Sequence, residues 1–161
     1  MATANSAAAT TFTTPSDLEI LITRVIDAPR TLVWEAYTNP EHLPQWMGPR
    51  GSTMPVCEID LRPGGAYRFV SRVPDGFEMT VTGVYQEVVP PERLVSTDSW
   101  GPEWPETTNT LILSEEDGKT TISLTVLYPS KEARDVALQT GMKEGMSQGF
   151  DRLAEHLRGA A

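Results

Sequence analysis

The residues from Lys131 to Leu157, KEARDVALQTGMKEGMSQGFDRLAEHL, form the longest helical pattern in the chain, and the remainder must supply a surface for it. Apolar or small residues recur three and four apart, at Ala133, Val136, Ala137, Thr140, Met142, Met146, Phe150, Leu153 and Leu157, the spacing of an amphipathic helix. No proline interrupts the stretch, and Ser130 stands before it as an N-cap. Gly141, Gly145 and Gly149 fall at intervals of four. Each costs about 1 kcal/mol relative to alanine, so the three forfeit roughly 3 kcal/mol of helix preference. They share one side of the helix, beside Met142, Met146 and Phe150. Small residues there serve either close packing on a sheet or a gap between helix and sheet that a ligand fills. We expect the gap.

With 161 residues the chain has the size of one domain, large enough to bury roughly 70% of its unfolded surface. Residues 1–16, MATANSAAATTFTTPS, contain one aromatic residue and no charged side chain, and lack the basic start and long apolar run of a signal peptide. They are expected to be a disordered tail, leaving a single domain over residues 17–159. A net charge of −9 argues against nucleic acid or an anionic membrane as the main partner. No stretch has the length needed to span a bilayer. The single cysteine, Cys57, has no internal partner, which makes a reducing cytoplasm the expected location.

Between tail and final helix the punctuation is explicit. Leu18 to Ile26 is rich in β-branched residues and reads as a strand. Asp27-Ala28-Pro29 turns the chain into a short helix with Leu32, Val33, Ala36 and Tyr37 on its apolar face. Asn39-Pro40-Glu41 restarts a second short helix that Gly48-Pro49 ends. Six strands follow, near Ser52–Asp60, Ala66–Val73, Phe77–Val88, Arg93–Ser99, Thr108–Glu115 and Thr120–Tyr128. They are separated by the turn formers Pro63-Gly64-Gly65, Pro74-Asp75-Gly76, Pro90-Pro91 and Asp117-Gly118. Short turns impose antiparallel pairing. A meander covered on one face by one amphipathic helix is an α+β domain whose sheet curls around that helix.

Several ordered motifs resemble one family. Arg24-Val-Ile-Asp-Ala-Pro29, Val33-Trp34-Glu35-Ala36, Thr38-Asn39-Pro40-Glu41-His42-Leu43, then Trp46 and Gly48-Pro49 follow one another as in proteins like the activator of the heat-shock-protein-90 ATPase. Asp60-Leu-Arg-Pro-Gly-Gly65, Tyr67-Arg68-Phe69, Gly83-Val84-Tyr85 with Glu87, Pro91-Glu-Arg-Leu94 and the closing Gly145-Met146-Ser-Gln-Gly-Phe150-Asp-Arg-Leu153 continue the likeness over about Leu18 to Leu157. The resemblance implies a START-like (SRPBCC) helix-grip fold: a curved antiparallel sheet around a long C-terminal helix, with two short helices after the first strand. It further implies a hydrophobic cavity between helix and sheet. Members of that superfamily bind lipids, sterols, polyketides, flavonoids or plant hormones, and some catalyse cyclisation or hydrolysis. One fold hosts many activities, so the family name is not carried over as an activity.

The residues carry no metal constellation: His42, His156 and Cys57 are far apart in sequence and lack ligand spacing. No cofactor motif is present. Gly64-Gly65 leads into a strand, unlike a phosphate loop, and no nucleophile-elbow pattern occurs. Strand alternation puts Tyr85 and Glu87 on one side, and Asp98 with Leu94 and Trp100. Asp98, Glu87 and Tyr85 are therefore the catalytic candidates if they face inward. Positions near strand ends, in water, are the expectation for the two acids, because a bulge can reverse parity. The ligand-binding candidates are Tyr37, Trp46, Met47, Met54, Tyr67, Phe69, Met79, Tyr85, Trp100, Met142, Met146 and Phe150, an apolar set with adaptable methionines. Trp46-Met47-Gly48-Pro49 and Gly101–Glu106 (GPEWPE) are candidates for a mobile mouth.

These features point first to a binding domain for a small lipid-like or aromatic, polyketide-like molecule, with no obligatory chemistry. A cofactor-independent cyclase or hydrolase on an aromatic substrate is the alternative. A chaperone-assisting interaction module ranks last, since it calls for a broad exposed apolar patch.

Overall fold

Eight antiparallel strands form one sheet in the computed structural model, which describes residues 9–160. The strands are β1 (Thr11–Ser16), β2 (Glu19–Ile26), β3 (Thr53–Ile59), β4 (Ala66–Arg72), β5 (Glu78–Val89), β6 (Arg93–Ser99), β7 (Thr107–Glu116) and β8 (Lys119–Leu127). Their order is β1-β2-β8-β7-β6-β5-β4-β3. Seven of them fall within about two residues of the ranges read from the turn formers. The eighth, β1, is a correction: residues 11–16 belong to the stretch expected to be a disordered tail, yet they pair with β2, Phe12 opposite Ile22. Phe12 packs against the edge of the core, which gives this stretch an apolar anchor. Residues 1–8 of that expected tail lie outside the described residues.

Helix α1 (Arg30–Thr38) follows Pro29 as the sequence predicts. The second short helix shrinks to a single 3-10 turn, Leu43–Gln45. Asn39 builds a turn ahead of it, its side-chain Oδ1 accepting from the Glu41 amide at 2.9 Å. The expected single helix over Lys131–Leu157 is two: α2 (Lys131–Leu138) and α3 (Met142–Ala160). Ser130 caps α2, its Oγ accepting from the Ala133 amide at 3.1 Å. The break comes at Thr140, whose hydroxyl donates to the Ala137 carbonyl at 2.7 Å and accepts from the Met142 amide at 3.3 Å. A side chain that satisfies both a closing carbonyl and an opening amide competes with helix continuation. The apolar spacing passes through Thr140, so periodicity alone could not reveal the break.

The core lies between the inner face of the sheet and the helices. Ile20, Ile22 and Ile26 of β2, Leu111 and Leu113 of β7 and Ile122 and Val126 of β8 meet Val33 and Ala36 of α1 and Phe150, Leu153 and Leu157 of α3. Arg24 shares the inward row of β2, where a bare cation is costly. Asp151 on α3 answers it at 2.8 Å, and the Thr10 hydroxyl accepts from the same nitrogen at 3.1 Å. The pairings of β1 with β2, β3 with β4 and β5 with β6 each contain a register shift. Such shifts bend and twist strands, and the sheet folds around α3 in the helix-grip arrangement.

Candidate functional site

Between the inner face of the sheet and the segment running from α1 to the 3-10 turn is a cavity of about 130 Å³. Tyr37 of α1, Leu43 of the 3-10 turn and Met47 of the following loop form one wall. Tyr67 and Phe69 of β4, Tyr85 of β5, Leu94, Ser96 and Asp98 of β6, Asn109 and Leu111 of β7 and Leu124 of β8 form the other. A wider depression of about 450 Å³, lined by residues that include Glu106, Thr107 and Tyr128, opens to solvent where β7 begins and β8 ends. It holds none of the catalytic or ligand-binding candidates and meets the expected mouth segment only at Glu106.

Alternation explains the sheet wall. Leu94, Ser96 and Asp98 share one side of β6, and Asn109 and Leu111 share one side of β7. Gly83 shapes the middle: a Cβ built there would lie 2.2 Å from the Tyr67 hydroxyl and 2.5 Å from the Thr97 carbonyl oxygen. Without it the Tyr67 ring lies across β5, with its centroid 4.8 Å from that of Tyr85 and 5.1 Å from that of Phe69. The Tyr67 hydroxyl donates to the Thr97 carbonyl at 3.4 Å. Beyond Tyr85 the register slips. Tyr85 pairs with Ser96 but Glu87 with Val95, so Gln86 is an extra residue and parity reverses. Tyr85 is buried, whereas Glu87 is exposed and pairs with Arg93 at 3.1 Å.

The expectation of a watery position thus holds for Glu87 and fails for Asp98. Asp98 lines the cavity, and burial pushes its pKa up from 3.8 to about 7 against the opposing effect of a hydrogen bond from Asn109. Asn109 Nδ2 donates to Asp98 Oδ2, while Asn109 Oδ1 accepts from the Thr107 hydroxyl at 3.2 Å, which fixes the amide's direction. Among the described residues no cation pairs with Asp98. Burial also raises the pKa of Tyr37 and of Tyr85, the latter helped by nearby Cys57. Among the described residues no three His, Cys, Asp or Glu side chains converge as a metal site. No described helix is long and apolar enough to cross a membrane.

Of the residues predicted from sequence, Tyr37, Met47, Tyr67, Phe69, Tyr85 and Asp98 meet on this cavity. Trp46, Met54, Met79, Trp100, Met142, Met146, Phe150 and Glu87 do not line it. Trp46 is a structural keystone: its Nε1 donates to the Ala36 carbonyl at 3.0 Å, and its ring lies 4.9 Å from Tyr37 and 6.3 Å from Phe150, centroid to centroid. Met54, Met142 and Met146 pack at the margin of the core. Trp100 and Trp104 are exposed, at 45% and 47%. Leu43, Leu94, Ser96, Asn109, Leu111 and Leu124 escaped the sequence reading. For Ser96 and Asn109 the signal was present, since each shares strand parity with an apolar core residue.

The expected gap beneath the final helix is also corrected, because no residue of α3 lines the cavity. The glycine face meets the loop after the 3-10 turn. A Cβ on Gly149 would lie 3.4 Å from the Gly48 amide nitrogen, and one on Gly145 would lie 4.0 Å from Pro49. Arg152 Nη1 donates to the carbonyls of Met47, Gly48 and Pro49 at 3.0–3.2 Å, and Nη2 to that of Gln45 at 3.2 Å. The Arg50 amide donates to Gln148 at 3.0 Å, and its side chain makes two bonds to Glu155. The loop expected to be a mobile mouth is strapped to the helix. His42 Nδ1 lies 3.2 Å from His156 Nε2, and burial, with His42 second, lowers the His156 pKa. A histidine near a helix C-terminus is favourably placed to carry positive charge. His156 is instead a half-buried member of a pair, with α3 continuing to Ala160.

Comparison with known proteins agrees with this architecture. The model of the family described as Activator of Hsp90 ATPase homolog 1-like protein matches residues 27–158. A crystal structure of a protein from Rhodobacter sphaeroides is 28% identical with a TM-score of 0.88, covering 94% of this chain and 99% of that one. A protein from Mycobacterium smegmatis is 27% identical with a TM-score of 0.79, covering 90% and 96%. CalU16 from Micromonospora echinospora is 25% identical with a TM-score of 0.61, covering 86% and 74%. No curated protein matches the chain.

Proposed function

Because the chain belongs to the family of Activator of Hsp90 ATPase homolog 1-like proteins, a fold group in which ligand binding is common, we propose that it binds a small, mainly apolar molecule in the cavity between sheet and α1. The observation that carries this reading is the lining itself. Nine of its twelve side chains are aliphatic, aromatic or thioether, and the other three, Ser96, Asp98 and Asn109, sit together on β6 and β7. An apolar wall with a few convergent polar groups is the usual composition of a small-molecule site.

Volume narrows the ligand class. An engineered apolar cavity of about 150 Å³ admits benzene, so about 130 Å³ suits a single ring. Of the ligands implied by the resemblance, a compact aromatic fits, whereas a lipid chain or fused polyketide requires the cavity to enlarge. Toluene titrated into methyl-labelled protein tests the reading. We expect shifts at Met47, Leu94, Leu111 and Leu124, and no shift there up to toluene's solubility limit overturns it.

A second reading, a cofactor-independent cyclase or hydrolase on an aromatic substrate, draws on Asp98 alone. A carboxyl with a pKa of about 7 is suited to proton transfer at neutral pH. Turnover that disappears in Asp98→Asn would favour it over plain binding. The chaperone-assisting reading rests on no observation as specific as the cavity.

A further inference from the structure

We infer that the cavity is built for a small amine, a protonated nitrogen on a single-ring body, with Asp98 as its counter-ion. This deepens the binding reading above and rests on it. A carboxylate offers about four acceptor positions, and Asp98 uses one. Asn109 donates to Oδ2, and Oδ1 has no donor among the described residues. Asn109 is itself held by Thr107, so it orients the carboxylate and is not free to turn its amide away. Asp98 is half-buried on the cavity wall, and a partly desolvated acid without a cation is poorly stabilised in its charged form, so a ligand that brings the cation supplies what the fold omits. The rest of the wall suits such a ligand. The Tyr67 ring neighbours those of Phe69 and Tyr85 on the same cavity, and aromatic faces attract ammonium groups. The body of the ligand then lies against Leu43, Leu111 and Leu124.

The other titratable side chains on the cavity are Tyr37 from α1, Tyr67 from β4 and Tyr85 from β5. Burial holds Tyr37 and Tyr85 neutral well above the working range. The 3-10 turn, its loop, β7 and β8 contribute no ionisable group to the lining, and the His42–His156 pair lies outside it. Binding of an amine between pH 6 and 8 therefore reports on Asp98.

Three probes of one shape decide the matter by calorimetric titration: toluene, benzyl alcohol and benzylamine, at pH 6 and pH 8. Benzylamine stays protonated throughout. For a carboxyl that ionises near neutrality, its affinity should rise by about tenfold across that interval and exceed that of benzyl alcohol by about tenfold at pH 8. The affinities of toluene and benzyl alcohol should not rise with pH. In Asp98→Asn the benzylamine advantage and its pH dependence should vanish while toluene still binds. If toluene binds and benzylamine gains nothing over the alcohol, or keeps its advantage in Asp98→Asn, this inference is wrong and the binding reading survives. If none of the three binds, both fall. Should the variant fold poorly, the pH comparison on the natural chain decides alone.

Discussion

Replacing Asp98 with asparagine should make the protein more stable above neutral pH, and the size of the gain measures how dry the cavity is. The asparagine side chain has the same shape and can still accept from Asn109, so packing is nearly unchanged. In the unfolded chain the acid ionises near 3.8, and in the fold near 7. Well below pH 3.8 the carboxyl is protonated in both states and favours neither. Between pH 4 and 7 the unfolded chain has released a proton that the fold retains, so stability falls as pH rises. At about 1.4 kcal/mol for each pH unit, the loss reaches up to roughly 4 kcal/mol and levels off above pH 8. Asp98→Asn removes only this contribution, because every other titrating group is shared. Urea denaturation of both proteins at pH 4.5, 6 and 8 provides the comparison. The variant should lead by only about 1 kcal/mol at pH 4.5 and by progressively more at pH 6 and pH 8. Parallel profiles would refute the reasoning, since Asp98 would then ionise as it does in water.

Gly145→Ala should stabilise the fold by about 1 kcal/mol in thermal unfolding, because the helix gains propensity and the nearest atom to the new methyl is Pro49 Cδ at 4.0 Å. Destabilisation would mean that the loop sits closer to α3 than described. Gly83→Ala should cost about 1–3 kcal/mol, as overpacking does, and should abolish toluene shifts, because the new methyl displaces the Tyr67 ring into the cavity. Normal toluene binding by that variant would sink this account of Gly83. His156→Gln should flatten the fall in stability on the acid side of neutrality. A histidine whose pKa is lowered on folding contributes stability above its unfolded value and loses it as pH falls. An unchanged acid limb in denaturation would show that the pair is not coupled to folding.

The strands were legible because proline, glycine and aspartate-glycine turns punctuate them, and turn chemistry is local. What escaped was set by contacts distant in sequence. Thr140 reads as a small member of the apolar stripe, and only its two backbone bonds make it the end of one helix and the start of the next. Strict alternation from Tyr85 would carry Glu87 inside; its watery position is expected because a bulge can reverse parity, but only the strand pairing places that bulge at Gln86. Alternation allows Asp98 to face inward, but the expected position is in water, and the loss of water that raises its pKa depends on strands and loops no local window contains. Methionines were chosen for their chemistry. Met47 lines the cavity while Met142 and Met146 pack elsewhere, a difference set by the path of the loop across α3.

The grip of Arg152 on the loop has a kinetic consequence. One guanidinium gathers four carbonyl oxygens, from Gln45, Met47, Gly48 and Pro49. Gly149 brings helix backbone against loop backbone beside it. The roof of the cavity and the helix behind it therefore open as one unit, or not at all. The flexible element left in that roof is the Met47 side chain, which swings on rotatable single bonds with its backbone held. A guest small enough to pass the thioether needs only a side-chain rearrangement, which is fast compared with helix opening, so its own affinity sets how quickly it leaves. A larger one must wait for α3 to lift Phe150 and Leu153 out of the core, a partial unfolding. The cavity is thus a sieve that sorts molecules by how fast they can enter before it sorts them by how well they fit.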